Sequence, residues 1–183
     1  TEEERRSIAI HEAGHATISW MLRYANPLVK VTIVPRGKAL GAAWYLPEER
    51  QITTTEALQD QLCALLGGRA AEDLFLGRVS TGAANDLERV TKLAYAMVTY
   101  YGMSDKLPNI NYYEMQNDGW NLTKPYSDTT AEVIDAEVNR IISEQYERAK
   151  SILREHEAGH HELADLLLKR EVILADDVER IFG

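Results

Sequence analysis

The amino-terminal part of the chain is predicted to form a helix. From Glu3 to about Tyr24, apolar residues recur at intervals of three and four positions, which is the spacing of one face of an α-helix. Pro27 follows shortly afterwards, and proline cannot continue a helix because it lacks the backbone N–H. We therefore expect the first helix to end a few residues before this proline.

Two short segments after this helix have strand character. Residues 28–35 are rich in β-branched side chains, and a second extended run covers residues 41–46. β-Branched residues favour the half-buried surface of a sheet, and Gly37 marks a turn between the two runs. These segments predict two strands of a small sheet.

The remaining sequence is predicted to be mainly helical. In order, the helical patterns cover residues 53–76, 85–101, a long stretch from 128 to about 170, and 176–182. Residues 104–127 lack sustained periodicity and predict a long surface loop or lid. The expected fold class is therefore α+β and predominantly α-helical, a helical bundle with a small β-sheet.

Length, charge and cysteine content narrow the possible functions. A chain of 183 residues is the size of one domain with one sizeable core, so we expect residues 1–183 to form a single domain. Its net charge of −9 makes nucleic-acid binding unfavourable. Cys63 is the only cysteine, which excludes an intrachain disulfide.

The chain also lacks the sequence features of a membrane segment. No apolar run approaches the roughly 20 residues that span a bilayer, so we expect no membrane contact by this domain itself. It begins without methionine, only a few residues before a strong helical pattern. We therefore expect an excised domain, with any anchor or partner domain upstream.

The first helix contains the most informative motif, H-E-x-x-H, at residues 11–15. Because an α-helix turns by about 100° per residue, His11 and His15 lie only about 40° apart on one face. Two neutral imidazoles in this arrangement can bind one zinc ion, and the glutamate of the motif, Glu12, can serve as general base. Uncharged neighbours on both sides predict a buried, water-poor site.

The same five letters recur at residues 156–160, so spacing alone does not select the site. This copy is flanked by Arg154, Glu155, His161 and Glu162, which is typical of a solvated helix face. The first copy is therefore the better candidate, and the second is expected to be exposed to solvent.

A third ligand is needed to complete a catalytic zinc site. No histidine lies between His15 and His156, so a carboxylate has to supply it. The candidates are Glu72, in a helical segment, and Asp86, at the first turn of a predicted helix after a loop of small residues. Taken alone, an aspartate at the position of Asp86 is more commonly explained as a charge that complements the helix dipole. The residues themselves therefore do not decide between Glu72 and Asp86 as the third ligand.

Several segments resemble the peptidase domain of FtsH, a family of AAA+ zinc proteases with mitochondrial relatives. In order along nearly the whole chain, they are ERR at 4–6 with HEAGHA at 11–16, PRG at 35–37 with ALG at 39–41, YLPE at 45–48, GGRAAED at 67–73, STGAANDL at 80–87 and KPYS at 124–127. The resemblance implies one zinc ion per chain held by His11, His15 and Asp86, with Glu12 as base. The resemblance also implies that Glu72 is a helix residue near the zinc site and not a ligand.

The resemblance also implies partners and a cellular setting. FtsH-like proteases form homo-hexamers, and they use ATP in an upstream AAA+ domain to feed unfolded or membrane-extracted polypeptides to an inner chamber. ATP is not expected to bind this chain. The full-length protein is expected to be intracellular and membrane-anchored, with this domain on the cytoplasmic face of a bacterial inner membrane or in a mitochondrial equivalent.

The family's edge strand corresponds to about Gly41, Ala42, Ala43, Trp44 and Tyr45. An unpaired strand at this position could bind an extended substrate by adding it to the sheet, which recognises backbone and not sequence. A strand that only covers the core is the alternative.

Two other functions fit parts of the sequence. Deformylase-like hydrolases also use H-E-x-x-H, but their cysteine ligand comes from a segment before the motif, whereas Cys63 lies after it. A helical oligomerisation domain with an inactive metal site would be favoured if Glu12 were absent. Because Glu12 is present, the hydrolytic site is the stronger interpretation.

Overall fold

Helices form most of the described part of the protein. The computed structural model describes residues 1–34, 41–46, 52–112 and 126–183. Its elements are α1 (Glu2–Met21), β1 (Leu28–Thr32), β2 (Ala42–Tyr45), α2 (Thr55–Leu76), a 3-10 turn (Thr81–Ala83), α3 (Ala84–Thr99), α4 (Asp128–Glu155), α5 (Glu157–Arg170), β3 (Val172–Leu174) and α6 (Ala175–Phe182). The predicted α+β, mainly helical class is confirmed. No described helix combines the length and apolar character needed to cross a membrane.

Helix α1 is the central helix of the fold. It begins at a capping box formed by Thr1 and Glu4, and every residue from 9 to 19 is buried. At Leu22 the backbone becomes extended, so the helix ends three residues before the predicted Tyr24. Burial along three successive turns explains why the motif residues lie in a largely apolar environment.

Helices α1 and α2 approach each other through glycines. A Cβ atom placed on Gly14 would lie 2.5 Å from the carbonyl oxygen of Gly67, and one placed on Gly67 would lie 3.0 Å from the carbonyl oxygen of Gly14. No larger residue fits at Gly14 without moving the backbone of α2. Close packing of this kind brings α2 against the motif face of α1.

The sheet has three antiparallel strands in the order β2-β1-β3. Val31 at the centre of β1 pairs with Ala43 on one side and with Ile173 on the other. The strand character of residues 28–32 and 42–45 is thus confirmed, whereas β3 was not predicted. Strand β2 forms one edge of the sheet.

The helical stretch predicted from residue 128 to about residue 170 consists of two helices, α4 and α5. They are separated at His156, where φ is −118° and ψ is 30°. The first described part of the predicted loop, residues 104–112, contains turns but no helix or strand. Residues 113–125 of that prediction lie outside the described residues.

The expectation that the second H-E-x-x-H copy is solvated is wrong for His160. This side chain is fully buried, its Nε2–H donates to the carbonyl oxygen of Ile10 at 3.0 Å, and its ring stacks on Phe75 with centroids 4.6 Å apart. Burial lowers its pKa to about 4. Helix α5 packs against α1 here, so His160 is a core residue, while the neighbouring His161 remains exposed.

Candidate metal centre

Three side chains from two distant parts of the sequence converge between α1 and α3. The Nε2 atoms of His11 and His15 lie 3.1 Å apart, and Oδ2 of Asp86 lies 3.3 and 3.1 Å from them. Within the described ranges, these residues are the one group of three or more His, Cys, Asp or Glu side chains that could hold a metal ion. Asp86, in the first turn of α3, is therefore the carboxylate that lies beside both histidine Nε2 atoms.

The dimensions of this triangle fit a tetrahedral zinc ion. With bonds of about 2.0–2.1 Å, neighbouring ligand atoms of a tetrahedral site are about 3.3 Å apart. The three observed separations are 3.1–3.3 Å. Two imidazoles and one carboxylate also form a ligand set that suits a catalytic zinc site, in which the fourth position stays open.

Hydrogen bonds on the far side of each ring direct both Nε2 atoms toward this point. Nδ1 of His15 lies 2.8 Å from the carbonyl oxygen of Ala64, and because a carbonyl only accepts, Nδ1 carries the hydrogen. Nδ1 of His11 likewise lies 2.8 Å from Oε2 of Glu72. When both rings are neutral, each Nε2 atom therefore has the lone pair, and one cation can be bound by both.

The surrounding charges favour a positive charge at the centre. Burial by itself lowers the pKa of His11, but hydrogen bonds to Asp86 and Glu72 outweigh it and raise the pKa to about 9. Burial raises the pKa of Asp86, but its contacts with His11 and His15 hold it well below the usual range. Zinc would supply the positive charge that this group of side chains stabilises.

Glu72 has the supporting position that the family resemblance implies. It contacts Nδ1 of His11, on the side of the ring away from Asp86, and its other oxygen, Oε1, accepts a hydrogen bond from Ser80 Oγ at 2.5 Å. Carboxylates that orient a ligating histidine in this way also increase its basicity. Neither this role of Ser80 nor that of the Ala64 carbonyl has a signal in the sequence.

Glycine at position 68 is required for the orientation of the His11 ring. A Cβ atom on Gly68 would lie only 2.4 Å from Nε2 of His11, so any side chain there would displace the ring. The two adjacent glycines of α2 therefore have separate uses. Gly67 admits the backbone of α1, and Gly68 admits the imidazole of His11.

Glu12 is buried beside the candidate ligands, and burial raises its pKa. Two cavities open next to it, with volumes of about 340 and 580 Å³, and their walls share His11, Glu12, Gly41, Gly82 and Asn85. Asp86 also lines the smaller cavity. A bound chain could therefore lie close to both the ligand atoms and the Glu12 carboxylate.

The predicted substrate strand lies mostly along the smaller cavity. Gly41, Ala42, Ala43 and Tyr45 line it, but Trp44 does not. Instead, the ammonium of Lys30 lies 4.6 Å from the centre of the Trp44 ring. Alternate side chains of a strand point to opposite faces, so Trp44 is directed away from the cavity between two residues that line it.

Cys63 does not belong to the metal centre. It is fully buried in α2, and burial raises the pKa of its thiol to about 12. It is therefore a small apolar core residue, and the structure gives no support to a deformylase-like ligand set.

Comparisons with known proteins show the family to which the chain belongs. The family model described as peptidase family M41 matches residues 1–181. The chain is 72% identical over its full length to the ATP-dependent zinc metalloprotease FtsH of Parabacteroides distasonis, and covers 27% of that protein. It is also 49% identical, over 98% of its length, to the mitochondrial ATP-dependent zinc metalloprotease FTSH 3 of Arabidopsis thaliana, and covers 22% of it.

A mammalian protein is also similar. The mouse mitochondrial inner membrane m-AAA protease component AFG3L2 is 45% identical over 99% of the chain, which covers 23% of that protein. The chain thus spans about a quarter of the length of these curated relatives. Because the family model covers residues 1–181 and the similarity extends along almost the entire sequence, the chain belongs to peptidase family M41.

Proposed function

We propose that this chain is the proteolytic domain of an FtsH-like, ATP-dependent zinc metalloendopeptidase. The observation that carries the proposal is the triangle of two Nε2 atoms and one Oδ2 atom, with edges of 3.1–3.3 Å, next to the Glu12 carboxylate. His11, His15 and Asp86 would hold one zinc ion. When bound, zinc polarises a peptide carbonyl and lowers the pKa of a coordinated water.

Glu12 is the general base in this proposal. Glu12 lines the smaller cavity together with all three proposed ligands, and its carboxylate accepts the proton from the attacking water. It then returns that proton to the amine leaving group, so that the peptide bond is replaced by a carboxyl and an amine. The raised pKa of Glu12, which is caused by burial, brings its basicity closer to that needed near neutral pH.

The edge strand β2 supports a role in binding the substrate backbone. It lies at one edge of the sheet, and residues 41–43 and 45 line the cavity beside the ligands. A substrate that pairs with β2 would be held in extended form, with its scissile bond near Glu12. Recognition of main-chain groups suits a protease that cleaves unfolded polypeptides of many sequences.

Backbone N-methylation of a peptide substrate is expected to weaken its cleavage at particular positions. A methyl group removes one N–H donor, so methylation should lower kcat/KM by roughly 5- to 10-fold where that donor pairs with β2. Every second residue should be sensitive, because alternate N–H groups of a strand point to one side. A scan that finds equal effects at all positions, or none, would contradict strand addition.

The whole protein is proposed to be larger than this chain and to form an oligomeric assembly. The relatives named above are ATP-dependent zinc metalloproteases or an m-AAA protease component. We infer an upstream AAA+ domain that uses ATP, a membrane anchor, and a homo-hexamer that degrades unfolded proteins at a bacterial inner membrane or its mitochondrial equivalent. Sedimentation of the full-length protein tests the hexamer, because a monomeric particle in the presence of nucleotide would exclude it.

Removal of zinc is expected to abolish peptide hydrolysis, and one equivalent of zinc per chain should restore it. The same titration should raise the melting temperature, because an ion that binds only the folded state stabilises it. His15→Ala should prevent both effects. His161→Ala is the matched control, because that histidine is exposed and lies outside the ligand group. Full activity in a chain shown to be free of metal would overturn the proposed function.

A further inference from the structure

Ser80 connects the loop before α3 to the histidine ligand on α1. Its Oγ donates to Oε1 of Glu72 at 2.5 Å, and Oε2 of Glu72 accepts from Nδ1 of His11 at 2.8 Å. The same hydroxyl oxygen accepts a hydrogen bond from the backbone N–H of Gly82 at 3.2 Å. One hydroxyl thus links three elements: the loop that leads to Asp86, helix α2 and helix α1.

Glu72 depends on these contacts because its side chain is almost entirely buried, with a relative exposure of 2%. A buried carboxylate without donors has a large desolvation cost. In the described part of the chain, each of its oxygens has one hydrogen-bond partner, Ser80 for Oε1 and His11 for Oε2. Loss of the Ser80 hydroxyl would leave Oε1 without its donor and free the carboxylate to rotate.

We propose that Ser80 is a positioning residue of the metal centre. Its hydroxyl fixes the Glu72 carboxylate in the orientation that keeps the His11 ring turned with Nε2 toward Asp86 and His15. This inference rests on the proposed function, since it assigns Ser80 a role at the same zinc site. Ser80 lines the larger of the two cavities beside Glu12, but in the described part of the chain its hydrogen bonds are to Glu72 and Gly82 and not to His11, His15 or Asp86. It therefore reaches the proposed ligands through Glu72.

The position of Ser80 in the sequence extends this role to the third ligand. Ser80 is the N-cap of the 3-10 turn Thr81–Ala83, which leads directly into α3. Asp86 is the third residue of that helix. The contact between Ser80 and Glu72 therefore connects the start of α3 to α2. Because Glu72 of α2 also contacts His11, the Asp86 carboxylate and the His11 ring are both held in position relative to α2.

The first test is a competition titration of zinc against a chromophoric chelator. Ser80→Ala is expected to weaken zinc binding by about 10- to 100-fold, the usual effect of losing a partner that orients a ligand. Ser80→Thr should stay within about threefold of the parent chain, because it retains the hydroxyl and position 80 is exposed enough for a methyl group. Thr81→Ala, at the exposed neighbouring position, is the matched control and should bind zinc normally.

A second variant distinguishes a loss of zinc affinity from a general loss of folding stability. Ser80→Gly also lacks the hydroxyl, but glycine is tolerated at an N-cap almost as well as serine. The metal-free melting temperatures of both variants should remain close to that of the parent, while zinc affinity falls in both. Unchanged zinc affinity in a folded Ser80→Gly chain would overturn the inference.

A double-mutant cycle with Glu72→Gln separates the two hydrogen bonds of Ser80. If Ser80 acts through Glu72, the double variant should bind zinc about as weakly as Glu72→Gln alone. If the two losses multiply, Ser80 acts only through its bond to Gly82, and the proposed role is wrong. Failure of the parent chain to bind zinc would instead contradict the proposed function, which this experiment therefore distinguishes from the role of Ser80.

Discussion

Glu12→Gln is expected to abolish peptide hydrolysis while zinc remains bound. The three proposed ligand atoms belong to other residues, so the substitution leaves the triangle of Nε2 and Oδ2 atoms in place. Glutamine has nearly the same shape but cannot accept the proton from the attacking water. Loss of a general base lowers kcat by about 10²- to 10⁴-fold, which is measurable with a fluorogenic peptide.

The metal content of this variant has to be measured in parallel. Glu3→Gln is a suitable control, because it makes the same chemical change on an exposed side chain of the same helix. Near-native turnover of Glu12→Gln with full zinc occupancy would show that another group accepts the proton. A variant that loses both zinc and activity would show that Glu12 helps to hold the metal, which the present geometry does not indicate.

The first motif could be predicted from the sequence because its geometry is local. Four residues of separation on a helix bring His11 and His15 together wherever the helix lies in the fold. Their burial was also predicted correctly, because uncharged neighbours surround the motif on both sides. Local spacing and local composition were sufficient for this part of the site.

The second copy of the same five letters shows the limit of this reasoning. Charged neighbours predicted a solvated face, yet His160 is fully buried between Ile10 and Phe75. Its environment is set by residues about 150 and 85 positions away in sequence, which a window around the motif does not include. The same is true of Ser80, whose link to Glu72 appears only when the loop after α2 has folded back on that helix.

The sheet was only partly predictable for a related reason. Strands β1 and β2 are marked by β-branched or extended runs, but β3 consists of three residues between two helices. A segment so short has no periodicity of its own. Its strand conformation depends on pairing with β1, where Ile173 lies opposite Val31.

Asp86→Asn is expected to weaken zinc binding more than any change at Glu72. Asp86 Oδ2 lies 3.1 and 3.3 Å from the two histidine Nε2 atoms, and it is the anionic member of a proposed ligand set that otherwise consists of neutral imidazoles. Asparagine keeps the shape but removes the negative charge. We expect affinity for zinc to fall by more than about 100-fold, because a charged ligand is lost and not merely reoriented.

Glu72→Gln is the matched comparison, since it makes the same change to a buried carboxylate of the same centre. Glu72 contacts His11 at Nδ1, on the other side of the ring, so the substitution disturbs orientation and basicity but removes no ligand. The expected loss is about 10- to 100-fold. If a zinc titration instead shows normal binding by Asp86→Asn and a larger loss in Glu72→Gln, the metal lies on the Nδ1 side of His11. The roles of the two carboxylates would then be reversed.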